Sequence, residues 1–283
     1  MKAESKDIIT PHITDSHHLE YPCFEPGFAC HVELPHWAPI HIGPLTLDVS
    51  PTKHVVMLLI AATLCLITLL IAARAHKRQH AESGKPKGFA NGIEALVLYI
   101  RQEVILPNVG HHGDRYVPIL LTMFFFILFA NLLGLIPYGS TATGNIGVTA
   151  MLAIITLVTV EIAGMRTLGP AGYMKTVVYW PSDQPFIMKA LLTPLMTPIE
   201  LVGKFTKPFA LAIRLFANMT AGHIVVLALI GLIFTFGSYA LAPLPLLMAL
   251  AIMVLEVFIA FLQAYVFVLL SSVFIGLIRE GAH

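Results

Sequence analysis

The sequence predicts an all-α polytopic membrane protein with about five membrane-embedded helices, a further amphipathic helix on the inner surface, and a last pair of helices that are long and strongly tilted. Three observations carry that reading. Hydrophobic residues make up 57% of the chain against 12% charged, with a mean hydropathy of +0.81, far outside the range of soluble domains. Apolar runs long enough to cross roughly 30 Å of hydrocarbon recur along the chain. Lys and Arg gather in alternate connections, as the positive-inside rule requires. The 283 residues hold no internal repeat or low-complexity linker, so residues 51–283 read as one membrane domain behind a polar tail, 1–50. A formal net charge of +1, with no basic run interleaved with aromatics, sets a nucleic-acid role aside.

The tail is acidic, with Glu4, Asp7, Asp15, Glu20, Glu25, Glu33 and Asp48. Its histidines, His12, His17, His18, His31, His36 and His41, have no metal-ligand spacing and read as solvated, so neither a metal nor a cofactor is expected. Cys23 and Cys30 read as inert thiols, with a disulfide as the alternative if the tail faces an oxidising compartment, and Cys65 lies in an apolar run. The first twenty residues lack the basic start and apolar core of a signal peptide. The first span is therefore expected to serve as its own insertion signal.

That span is expected over 55–73. Arg74, Lys77, Arg78, Lys85 and Lys87 follow it against a single acid, Glu82, which puts the tail outside and this loop inside. Residues 89–106 space Ile93, Leu96, Val97, Ile100 and Val104 at helical period, but Glu94, Arg101 and Glu103 make the segment too polar to span. It reads as the surface helix. Runs at 117–136 and 146–164, joined by the uncharged turn Pro137-Tyr138-Gly139-Ser140, read as a membrane hairpin. Arg166, Lys175 and Lys189 follow on the inner side. Helices over 198–236, bent at Pro208, and 245–278 would each be on the order of 50 Å long, so they must tilt or overrun the bilayer. Five crossings leave Arg279 and the C-terminus inside.

The last two helices carry the chain's most expensive residues. Counting from the turn near residues 240 and 241, His223 and Glu256 fall at similar depth, and Asn218 falls opposite Gln263. Asn218 shares the face of Arg214, whereas His223 follows Arg214 by two and a half turns and points away, roughly 13 Å along the axis. A cation at mid-membrane costs about 2.5 to 3.5 kcal/mol even on a lenient scale, and intramembrane charges usually mark ion pathways. Arg214 either snorkels to the interface or meets a carboxylate. Glu200 and Glu161 lie too near the inner surface to supply it, so another subunit is expected to. Ala210, Ala212, Ala217, Ala221 and Gly222 would admit a close helix, from this chain or from another. The His223–Glu256 pair suits proton exchange.

These residues resemble a known family. KPFALAIRLFANMTAGH (207–223), LEVFIAFLQAYVFVLLSSVFI (255–275) and FANLLGLIP (129–137) are similar to the a subunit of F-type ATP synthases, the stator part of a membrane rotor; the likeness covers most of the chain from about residue 88. It implies that the last two helices form a hairpin curved around a ring of c subunits, each with a proton-binding carboxylate. Arg214 would match the family's essential arginine, which discharges each carboxylate and blocks a leak between two offset half-channels. Asn218 and Gln263 match polar positions near it, and Asn131 matches one on an access path. His223 and Glu256 match the outer half-channel pair in the order His then Glu, the reverse of the commonest bacterial arrangement. The swap preserves the pair's chemistry and leaves open which group takes the proton first. Glu200, Lys204 and Lys207 are placed near the inner exit.

The implied partners are the c-ring, b-type peripheral stalk subunits, the soluble head reached through the complex, and the bilayer. No catalytic chemistry is expected in this chain. The competing class, a proton-coupled secondary transporter, would usually show repeats and broken helices. The absence of an Arg- and Ser-rich presequence favours a bacterial inner membrane over a mitochondrial one.

Overall fold

Long apolar sequence becomes helix here because hydrocarbon offers no partner for a free backbone N–H or C=O, and a helix satisfies both internally. The computed structural model describes residues 15–22, 29–37, 40–42, 45–47, 50–82, 89–110, 112–136, 139–178, 185–236 and 242–280. Six principal helices follow in order: α1 (Lys53–Glu82), α2 (Phe89–Tyr99), α3 (Val117–Gly134), α4 (Ile146–Val177), α5 (Phe186–Phe236) and α6 (Pro243–Glu280). All but α2 contain windows long and apolar enough to cross a membrane, five in all among the described residues.

Contacts divide the chain into two compact units, one of Met1–Ile67, Phe126–Val148 and Leu215–Gln263, the other of Thr68–Phe125, Thr149–Arg214 and Ala264–His283. In the first, the polar tail carries two short antiparallel strand pairs, for which no expectation was drawn. β1 (His18–Pro22) pairs antiparallel with β2 (Ala29–Glu33), Leu19 opposite Val32, and β3 (Ile40–Ile42) pairs with β4 (Leu45–Leu47). Short alternations such as HLEYP and ACHVE were too brief to stand out as strands, yet a neighbour of equal length suffices to pair them. The Lys53 N–H donates to the Ser16 carbonyl at 2.9 Å, and the Ser50 hydroxyl accepts from the Trp37 N–H at 3.0 Å. These bonds tie the tail to the start of α1. Cys23 lies outside the described residues, and with it the Cys23–Cys30 disulfide that stood as the alternative to inert thiols; Cys65 is buried and in no disulfide among the described residues.

In the second unit, α2 buries Ile93 and then gives way to a π-helical turn, Ile100–Ile105, followed by a single α-turn, Leu106–Val109. Pro107, with no N–H to give, accounts for the local change of register, and the Leu106 N–H reaches back to the Arg101 carbonyl. Ile100, Val104, Ile105 and Val109 are buried on this stripe, while Arg101 remains exposed and pairs with Asp114 at 2.9 Å. The Asn108 amide and the Ser272 hydroxyl of α6 both donate to the Val104 carbonyl, at 2.6 and 3.4 Å. Gly276 lets α6 approach this segment, since a Cβ there would overlap the Asn108 carbonyl. Arg279 closes the unit, its Nη1 donating to the Val109 carbonyl at 2.7 Å.

Three helices outrun their expected bounds. The first was expected over 55–73, yet α1 continues to Glu82 through the basic segment. The second half of the membrane hairpin was expected to stop at 164, yet α4 runs to Val177 with a break at Gly169, φ 70° and ψ 168°, just before Pro170. Only glycine holds that conformation without strain. The long helix expected from 198 begins at Phe186 and passes through Pro194, Pro198 and Pro208. Apolarity marks where a helix meets lipid; it does not mark where the helix ends.

Candidate functional site

At 51 residues α5 is about 75 Å long, and Arg214 sits well within its apolar window, Ala190–Ile233. Its side chain lies on the chain's own surface, and among the described residues it makes no hydrogen bond or ion pair. Ala210, Ala217 and Ala221, at helical spacing from it, are exposed as well. This row of small residues around an exposed guanidinium is where another helix could come close. Ala212 is buried and Gly222 half-buried, so those two serve packing within the chain.

Within the first unit, His223 and Glu256 meet: Nδ1 stands 3.8 Å from Oε1. Glu256 is buried, at 5% exposure, which makes the imidazole its natural counter-ion when charged. Gly222 makes the contact fit. A Cβ at that position would overlap Glu256 Oε1 and come within 2.9 Å of the carboxyl carbon. On its other edge, His223 Nε2 lies 3.3 Å from the Thr141 hydroxyl. The ring thus bridges a carboxylate and a hydroxyl. Gly222→Ala should push the Glu256 carboxyl off the helix, overpacking the site at a cost of about 1–3 kcal/mol. That cost should appear as a lower midpoint of thermal unfolding in the purified Gly222→Ala protein than in the unaltered chain.

Asn131 is fully buried in the same unit, accepting at Oδ1 from the Thr143 hydroxyl at 2.6 Å and donating from Nδ2 to the Ala260 carbonyl at 3.5 Å. Both ends of the amide are engaged, so it holds the 142–144 turn against α6. Gln263 is buried and Asn218 half-buried, and among the described residues no hydrogen bond joins them.

The second unit contains a cavity of about 280 Å³ lined by Glu161, Glu200, Lys204 and Lys207, with Thr176 and Phe274 among its walls. Lys204 Nζ reaches Glu161 at 3.8 Å, the Thr176 hydroxyl at 3.4 Å and the face of Tyr173 at 4.6 Å. Lys207 stands 5.8 Å over Phe274, and Glu200 is exposed. The three residues placed together by sequence thus share one cavity. Glu161, weighed only as a partner for Arg214, is in fact the partner of Lys204.

The family model described as ATP synthase A chain matches residues 55–276. The chain belongs to the ATP synthase A chain family. Relatives named ATP synthase subunit a agree: one from Chloroherpeton thalassium is 45% identical over 266 residues, covering 94% of this chain and 74% of its own. A protein from Myxococcus xanthus is 48% identical over 243 residues, covering 84% of this chain and 76% of its own. A third, named ATP synthase subunit a 2, from Chlorobaculum tepidum, is 45% identical over 282 residues, 98% of this chain and 74% of its own.

As a member of the ATP synthase A chain family, the chain shows site residues that reading the sequence did not reach. Thr141, Thr143 and Asn145 follow the expected turn Pro137–Ser140 directly, in a run of uncharged polar residues that are ordinary near turns and drew no separate reading. It is burial in the fold that singles them out: Thr141 and Thr143 are buried at that turn, and buried hydroxyls need partners.

Proposed function

We propose that this chain is the proton-translocating stator subunit of an F-type ATP synthase, supplying two half-channels to and from the carboxylates of a c-ring and coupling proton flow to rotation. The observation that carries this reading is Arg214: a permanent cation, exposed, inside an apolar span, with no partner among the described residues and small residues around it. Such a charge is too costly to leave facing lipid alone, so a carboxylate on another subunit is its counterpart. Asn218 and Gln263 line the same approach as polar neighbours.

In this reading protons come from the outer side past His223 and Glu256, with Asn131 fixing the turn that carries Thr141. They ride the ring for nearly a turn and leave inward by the cavity of Glu161, Glu200, Lys204 and Lys207. The tail faces the outside of a bacterial inner membrane and the C-terminus the cytoplasm. The b-type stalk subunits hold the chain against rotation, and ATP is made in the soluble head, so no covalent chemistry falls to this chain.

Cross-linking tests the assignment directly. In the assembled complex lacking the native thiols of Cys23, Cys30 and Cys65, a cysteine replacing Ala217 should form a disulfide with one placed beside the ring carboxylate. Oxidation should then stop rotation, and reduction should restore it. Cross-linking confined to a cysteine at a buried position such as Ala212 would assign the ring to another face and overturn this placement.

A further inference from the structure

The tail before residue 55 lies outside the matched family residues, yet it touches the site. Asp15 is 3.1 Å from His54 Nδ1 through Oδ1, and the same oxygen accepts from the His54 N–H at 3.3 Å. His54, on the first turn of α1, is buried at 3% exposure, whereas Asp15 is exposed. His54 also lines a small cavity with His223, closed by Ser140, Thr141, Gly144, Met219 and Thr220. Among the described residues, Ser140 Oγ and Thr220 Oγ1 are buried without a hydrogen-bond partner. The space, about 10 Å³, is on the order of one water molecule, and two unpaired hydroxyls between two imidazoles are what would hold it.

His54 Nδ1 has a second neighbour. Asn145 Nδ2 lies 3.4 Å from it, and the Gly147 N–H, donating to Asn145 Oδ1 at 2.9 Å, fixes which end of the amide faces the ring. A protonated Nδ1 donates to Asp15, and a bare one accepts from Asn145. The nitrogen is satisfied in both states, as a group that gains and loses protons requires.

From this geometry we infer that Asp15, His54 and a water held by Ser140 and Thr220 form a proton intake that starts in the N-terminal tail and delivers to His223 and Glu256. The inference rests on the proposed reading of that pair as the outer half-channel. A proton from solvent reaches the Asp15 carboxylate and passes to His54 Nδ1. The imidazolium releases the proton on Nε2 to the water, and the water passes one through the Thr141 hydroxyl to His223 Nε2. His223 gives its Nδ1 proton to Glu256. One proton enters and one arrives; only O–H and N–H bonds change, and half-turns of the rings with reorientation of the water and hydroxyl restore the start.

The bland role for these groups is structural, Asp15 capping α1 and His54 filling space. Asp15→Asn separates the two, because its amide oxygen still accepts the His54 N–H but cannot carry the proton. Passive proton flux, read in vesicles carrying the assembled complex with the soluble head stripped, should fall by about tenfold or more in His54→Ala and be restored by added imidazole. Asp15→Asn should lower flux in the same direction with the amount of complex unchanged. Wild-type flux in both variants, while Glu256→Gln loses it, would remove the intake and leave the half-channel reading intact. Wild-type flux in all three would overturn that reading as well. Loss in His54→Ala that imidazole does not restore, with Asp15→Asn normal, would make the contact a structural cap.

Discussion

Arg214→Ala should abolish ATP-driven proton pumping in vesicles carrying the assembled complex, by about a hundredfold or more, and leave or raise the passive leak once the soluble head is stripped. The expectation follows from what the guanidinium does in place. Exposed on α5 with no partner among the described residues, it would be, in the proposed reading, a fixed positive charge that each arriving carboxylate must face. Facing it, a carboxylic acid gives up its proton, because an opposite charge nearby favours the ionised form. Without the cation, a protonated carboxyl would pass unchanged and the two proposed half-channels would communicate through the ring. Proton flow then does no work. Arg214→Lys keeps a charge but replaces a rigid planar fork with a mobile ammonium whose proton can itself be lost in apolar surroundings, so pumping should fall there too. Normal pumping in Arg214→Ala would make the residue a structural anchor and end the rotor-stator account of this site.

Much of this arrangement was legible in the sequence, and the parts that were not share a cause. The five spans could be read because twenty apolar residues have one stable form in lipid, a helix. Arg214, His223 and Glu256 stood out because charge within such helices is expensive enough to need a reason. Equal counts from the last turn put His223 beside Glu256, and the contact of 3.8 Å is where helical geometry would put it. Helix ends were harder: Pro198 looked like a start, whereas α5 runs through it from Phe186. The π-turn before Pro107 was out of reach because it depends on where a single missing N–H is absorbed. Least legible was Asp15 against His54, thirty-nine positions apart across two β-hairpins, since no periodicity encodes a contact made by a tail folding back. The partner of Glu161 was out of reach for a related reason: Lys204 lies on another helix, forty-three positions later.

The order of the outer pair, His223 then Glu256, offers the second large effect. Glu256→Gln keeps shape and hydrogen bonding but cannot take a proton, and pumping and ATP synthesis should both fall by about tenfold or more. His223→Ala should do the same by breaking the bridge from Thr141 to the carboxylate. The exchanged pair, His223→Glu with Glu256→His, retains one imidazole and one carboxyl at the same contact. If the two act as a unit, it should recover most of the rate that either single change loses, the non-additivity expected of groups in contact. Gly222 sets the limit on that recovery, because it is shaped to the carboxyl of Glu256 and an imidazole there must find room against the same backbone. Recovery would mean that the chemistry belongs to the pair and that the order of its members is free. Losses in the exchanged variant as large as the two single losses combined would mean that each residue works alone at its own position, and the relay across the 3.8 Å contact would fall.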